Sequence, residues 1–168
     1  CVLSDAEMDS LDNDGFLILS PESVYWDQQL VDFSYVKRTI DRLILEEGWR
    51  GGIEGKEHAV REDKPLDPGS NRLGNLIEKD AVFLPFIQHP KVLAAVHHVI
   101  GGPFKCSAVD MRSPRKDGGE QQIHIDWLPR MSMSDPYDCV FVGFYLDGMQ
   151  SADGALRLMP GTHKNLDW

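Results

Sequence analysis

The heptapeptide Gln121 to Trp127, Gln-Gln-Ile-His-Ile-Asp-Trp, constrains the fold more than any other stretch of this chain. Its polar and apolar residues alternate with period two, which predicts a strand. Gln122, His124 and Asp126 then share one face, and Ile123, Ile125 and Trp127 share the other. His124 and Asp126 can aim one imidazole and one carboxylate at the same spot. That pair is two-thirds of the 2-His-1-carboxylate triad, which holds non-heme Fe(II) with positions open for oxygen chemistry. Taken alone, the triplet also suits a half-exposed strand with Ile and Trp in the core and Gln, His and Asp in water.

Further strand patterns flank it. Phe104 to Ser113 alternates, with Lys105, Ser107, Val109 and Met111 on one face, and Pro114 to Glu120 reads as a turn closing a hairpin onto the His-x-Asp strand. Cys139 to Leu146 is apolar on both faces, as in a buried strand. Turns follow at Asp147-Gly148, Ala152-Asp-Gly154 and Pro160-Gly161, the last after an alternating Ala155 to Met159.

The first hundred residues read differently. Ser4-Asp-Ala-Glu7 is a capping box that opens a short helix fading near Asp12, and Gly15 to Ser20 reads as a buried strand. Tyr35 to Glu47 has Val36, Ile40, Leu43 and Ile44 at helical spacing and stops at Gly48. Residues 49–71 lack periodicity and form a long loop, either a lid over a site or plain surface. Asn75 to Ile87 is helical in part, and Pro90 to Ile100 is a helix with Pro at its first position and Gly101 closing it. His97 and His98 diverge by about 100° on that helix, so one is expected to pack and the other to face water. The expected architecture is one domain over 1–168, mainly β with flanking helices: a helical part at 1–103 and jelly-roll strands at 104–168.

The order of motifs resembles the phytanoyl-CoA dioxygenase family of Fe(II)- and 2-oxoglutarate-dependent oxygenases. That family shows His-x-Asp, an apolar strand, an acidic turn, Asn/Asp-Gly-x-Leu and Pro-Gly-Ser/Thr-His-Lys; here these are His124-Ile-Asp126, Cys139 to Leu146, Asp147-Gly148, Asp153-Gly-Ala-Leu156 and Pro160-Gly-Thr-His-Lys164. Upstream, Asp14-Gly-Phe-Leu17, His89-Pro-x-Val-Leu93 and Ile100-Gly-Gly102 extend the resemblance over nearly the whole chain. It implies a double-stranded β-helix (jelly roll, cupin-like) with His124 and Asp126 as iron ligands, and Fe(II), 2-oxoglutarate and O2 as the reacting set. It also implies hydroxylation, because halogenating relatives vacate the position of Asp126. Lys105, Met111 and Gln121 lie on the two strands that would wall the 2-oxoglutarate pocket, although a core or surface role suits each as well.

In such a family the second His ligand and the Arg that pairs with the far carboxylate of 2-oxoglutarate come from later strands. His163 sits in Pro-Gly-Thr-His, which is not the distal ligand there, and reads instead as a turn-stabilising residue. The chain is therefore expected to be the N-terminal part of a longer oxygenase, its jelly roll incomplete, with the distal His beyond Trp168 and the fragment alone inactive. The rival is a non-catalytic jelly-roll or β-sandwich binding module.

Composition bounds the partners. A net charge of −10 argues against nucleic acid or an anionic membrane as the main partner, and the resemblance implies a small-molecule substrate. The charge sits oddly with a polyanionic substrate unless cations gather at the site. No apolar run approaches ~18 residues. Cys1, Cys106 and Cys139 form no Cys-x-x-Cys pair. Cys106 and Cys139 are expected as buried free thiols in a reducing cytosol. Met131 and Met133 could line an entrance, but ordinary packing is the favoured reading.

Overall fold

The computed structural model describes residues 2–21, 31–48, 50–51, 70–117, 121–126 and 130–166. Ser4 caps helix α1 (Asp5–Asp14): its hydroxyl accepts from the Glu7 N–H, and its own N–H donates to the Glu7 carboxylate at 2.8 Å. Gly15 ends the helix in the left-handed region, φ 84°, two residues later than the sequence suggested. No residue of α1 is fully buried, and polar contacts tie the helix to α5. Lys91 meets Glu7 at 2.6 Å and His98 meets Asp12 at 2.8 Å.

The Lys91 hydrogen bond and then the Ser4 N–H hold the Glu7 carboxyl below its ordinary range. A depressed carboxylate pKa stabilises the fold above the unfolded value, and that contribution is lost as pH falls through the folded value. Glu7→Ala is expected to cost about 1 kcal/mol at pH 7. Urea unfolding should show the gap between variant and parent narrowing as the pH is taken below the ordinary carboxylate range.

Helix α2 (Phe33–Glu47) is the centre of the core. Asp32 caps it through the Tyr35 N–H at 3.0 Å, and Val36, Thr39 and Leu43 make a buried stripe at helical spacing. Against that stripe pack Leu73, Leu76, Phe83 and Phe86, with Ile40, Ile44, Val109, Met111 and Leu146 at the margin. These come from strand β2 (Ser70–Leu73), helix α3 (Leu76–Lys79), a 3-10 turn (Ala81–Phe83) and helix α4 (Leu84–Gln88). Helix α5 (Pro90–Ile100) follows with Pro at its start and Gly101 as its cap, as the sequence suggested. His98 is the half-buried partner of Asp12, and His97 is exposed.

Three short strands make one sheet in the order β1-β2-β3. β1 (Arg50–Gly51) runs parallel to β2, and β3 (Met111–Pro114) is antiparallel to it, with Leu73 opposite Met111.

This corrects the expected fold class. Among the described residues the elements are mostly helical; there is no mainly-β jelly roll. Residues 104–110, 121–126 and 139–146 belong to no strand, and β3 pairs with β2 rather than in a hairpin with the His-x-Asp segment. Alternation reports which side chains prefer a surface, whereas a strand exists only where its backbone finds a neighbouring ladder. Gly15 to Ser20 is likewise neither strand nor core, with Ile18 78% exposed. Cys106 and Cys139 are free thiols, and both are exposed rather than buried. Met131 and Met133 are exposed too, so the packing reading fails for them. The suggested lid at 49–71 falls almost wholly outside the described residues, apart from its ends in β1 and β2. No described helix is long and apolar enough to cross a membrane.

Candidate metal centre

The structure brings His124 and Asp126 together. His124 Nε2 lies 3.0 Å from Asp126 Oδ1, and His124 Nδ1 lies 2.7 Å from the Gln122 carbonyl oxygen. A carbonyl only accepts, so Nδ1 carries a proton and points it at the backbone. Nε2 then faces a carboxylate either through a second proton or through a shared cation. Both side chains are open to solvent, 52% and 67% exposed. The Gln122 hydrogen bond raises the His124 pKa above the usual imidazole value; desolvation opposes it, the Asp126 charge and hydrogen bond add to it, and the Arg112 charge opposes it more weakly. A metal ion would compete with that proton for Nε2.

These residues fit a divalent cation. An imidazole nitrogen and a carboxylate oxygen 3.0 Å apart are the donor types such an ion would take. The Gln122 carbonyl also does what an outer partner does for a metal-bound imidazole: it fixes the tautomer and the ring plane. Among the described residues, no third His, Cys, Asp or Glu joins the pair.

A cleft of about 240 Å³ opens beside the pair. Its walls include Ile123, His124, Ile125, Met159 and His163, and Arg157 adds a guanidinium. Arg157 Nη2 also reaches the Gln121 carbonyl at 3.5 Å, which ties the Ala155 to Met159 segment to the start of the His-x-Asp segment. His163 shares the cleft with His124, yet its Nε2 donates to the Asp12 carbonyl at 3.2 Å and its Nδ1 is buried without a hydrogen-bond partner.

The other three sequence candidates do not meet the pair. Lys105 is exposed, Met111 is packed against the helical core, and Gln121 is exposed and engaged through its carbonyl. None of the three lines the cleft. Sequence reasoning missed Arg157 and Gly15 as wall residues. The αL position of Gly15 at the end of a capped helix was a signal for the latter, while Arg157 looked like any alternating polar residue.

Comparison with known proteins supplies the class. The sequence matches the family model described as phytanoyl-CoA dioxygenase (PhyH) over residues 11–167. No curated protein and no solved structure matches the chain. The His-x-Asp pair and the Pro-Gly-Thr-His-Lys turn both fall inside the matched range, and a match over most of the chain shows that it belongs to the phytanoyl-CoA dioxygenase family of Fe(II)/2-oxoglutarate-dependent oxygenases.

Proposed function

We propose that this protein hydroxylates a C–H bond of a small-molecule metabolite, with His124 and Asp126 as two of its iron ligands. The observation that carries this is the 3.0 Å approach of His124 Nε2 to Asp126 Oδ1, with Nδ1 turned away onto the Gln122 carbonyl. When bound, Fe(II) and 2-oxoglutarate supply the oxidant from O2 and release succinate and CO2. The chain's own residues then have definable tasks. Gln122 holds the imidazole in the tautomer that leaves Nε2 for a metal. Asp126 brings one negative charge to balance a divalent ion, and its presence favours hydroxylation over halogenation. Ile123, Ile125 and Met159 give the cleft an apolar wall beside His124 on which the carbon skeleton of a substrate could rest.

Arg157 and Asp14 put one positive and one negative side chain in the cleft wall, a balance that suits a small substrate of low charge better than a polyanion. The two free thiols, Cys106 and Cys139, suit a reducing cytosol, which we assign as its compartment.

The test is turnover by the full-length protein. Under air, with Fe(II) and 2-oxoglutarate, succinate should form slowly without substrate and faster with the right one. A protein that binds Fe(II) no better than buffer and releases no succinate is instead a binding module, in which His124 and Asp126 face water.

A further inference from the structure

The turn Gly161 to Lys164 provides no donor to His124 or Asp126, yet it is the most heavily tied segment near them. Toward α1, the Gly161 N–H donates to the Asp14 carbonyl at 2.8 Å, His163 Nε2 to the Asp12 carbonyl at 3.2 Å, and Lys164 Nζ to Asn13 Oδ1 at 3.3 Å. Toward the loop that follows the His-x-Asp segment, Arg130 Nη2 donates to the His163 carbonyl at 2.8 Å and the Tyr137 hydroxyl to the same oxygen at 3.3 Å. The Arg130 guanidinium also lies over the Tyr137 ring, 4.1 Å from its centre. These hydrogen bonds reach Gly161, His163 and Lys164 from two directions.

The tightest fit is His163 on Gly15. A Cβ at residue 15 would stand 2.3 Å from His163 Nδ1 and 2.6 Å from its Cγ. Gly15 also has φ 84°, which other residues adopt only with strain. Two independent constraints thus require glycine there. Nε2 donates to a carbonyl, while Nδ1 is buried without a hydrogen-bond partner. A buried polar atom left unpaired is costly, so the ring is held in place by shape and by its Nε2 hydrogen bond rather than by satisfying both nitrogens. Gly15 and His163 both line the cleft that contains His124, and Met159 of the same wall lies two residues before Gly161.

We propose that His163 is a positioning residue which, seated on Gly15 and hydrogen-bonded to Asp12, sets the cleft wall beside His124. The end of α1, far from the His-x-Asp segment in sequence, thereby becomes part of the site. This rests on the reading of that cleft as the place where substrate meets the iron, and its test is chosen to be independent of iron.

The experiment is methyl and imidazole NMR of the full-length, metal-free protein as Gly15→Ala, His163→Ala and His163→Gln, followed by 2-oxoglutarate turnover. Both alanine variants should shift the methyl resonances of Ile123, Ile125 and Met159 and the ring resonances of His124. The core methyls of Val36 and Leu43 should stay in place. Turnover in these variants should fall about tenfold or more, since a displacement near 1 Å can cost about a hundredfold. His163→Gln keeps an amide N–H that can reach the Asp12 carbonyl, and should recover most of both signals. His163→Ala introduces no collision, so it remains informative if Gly15→Ala fails to fold. The proposal is overturned if the His124 and Ile123 signals are unmoved in both alanine variants. It is equally overturned if they move only together with the core methyls, which would make the clasp merely structural. If the parent protein turns over no 2-oxoglutarate, the proposed function fails while the NMR comparison still decides the role of His163.

Discussion

Asp126→Ala is expected to abolish Fe(II)-dependent 2-oxoglutarate turnover and leave the fold intact. The side chain is 67% exposed and its partner, His124, is 52% exposed. Exposed pairs of this kind contribute about 0–1 kcal/mol, and surface substitutions away from special features stay within about 0.5 kcal/mol. The chemistry has no such slack. Loss of an outer-sphere partner alone lowers metal affinity about 10–100-fold, and a ligand's own carboxylate should matter more. We therefore expect more than about a 100-fold loss of turnover with a thermal midpoint within a degree or two of the parent. Succinate release and a melting curve on the same preparation check both halves. A variant that unfolds, or one that keeps its turnover, would make Asp126 structural or incidental.

The second large effect lies in the core. Phe86 is 5% exposed, and its ring stands edge-on to Phe144 at 5.0 Å and to Phe33 at 6.2 Å. It thus joins α4 to the start of α2 and to the 139–146 segment, which has no strand ladder of its own. Removing a buried Phe side chain costs about 3–5 kcal/mol through lost transfer energy and the cavity left behind, and the two ring contacts place it toward the upper end. Against a total stability of about 5–15 kcal/mol, that is a large fraction. Phe86→Ala should lower the thermal midpoint by roughly 10 °C. Leu45→Ala on the open side of α2, 86% exposed, should change it little. Equal losses in the two variants would show that the α2–α4 contact is not the core.

What the sequence revealed about this fold follows the range of the interactions. Helix α1 was legible from Ser4 and Glu7, α2 from the spacing of Val36, Ile40 and Leu43, and α5 from Pro90 and Gly101, because caps and stripes act within a few residues. Of the strands, only Met111 to Ser113 of β3 was legible, inside the alternating Phe104 to Ser113, and its partner was not. β3 pairs with Ser70 to Leu73, a segment whose composition reads mostly as loop, and no local pattern names a partner forty residues away. The alternation at Gln121 to Trp127 was real as a pattern and did not become a ladder among the described residues.

The site divides in the same way. The approach of His124 to Asp126 needs only a two-residue separation on an open backbone, so it could be read directly. The rest of the cleft comes from Gly15 and Phe16 at one end of the chain and from Arg157 to His163 at the other. Their meeting depends on hydrogen bonds spanning about 150 positions, such as His163 to Asp12. Lys105 and Met111 were chosen for strand position, and the strand there is only Met111 to Pro114, which leaves Lys105 outside it.

The most direct measurement is a crystal structure of the full-length protein with Mn(II), a redox-stable stand-in for Fe(II), and 2-oxoglutarate. Mn(II) is expected bonded to His124 Nε2 and to the Asp126 carboxylate, with the His124 Nδ1–H still on the Gln122 carbonyl. Mn(II) bound elsewhere, with His124 and Asp126 joined only to each other, would contradict that expectation.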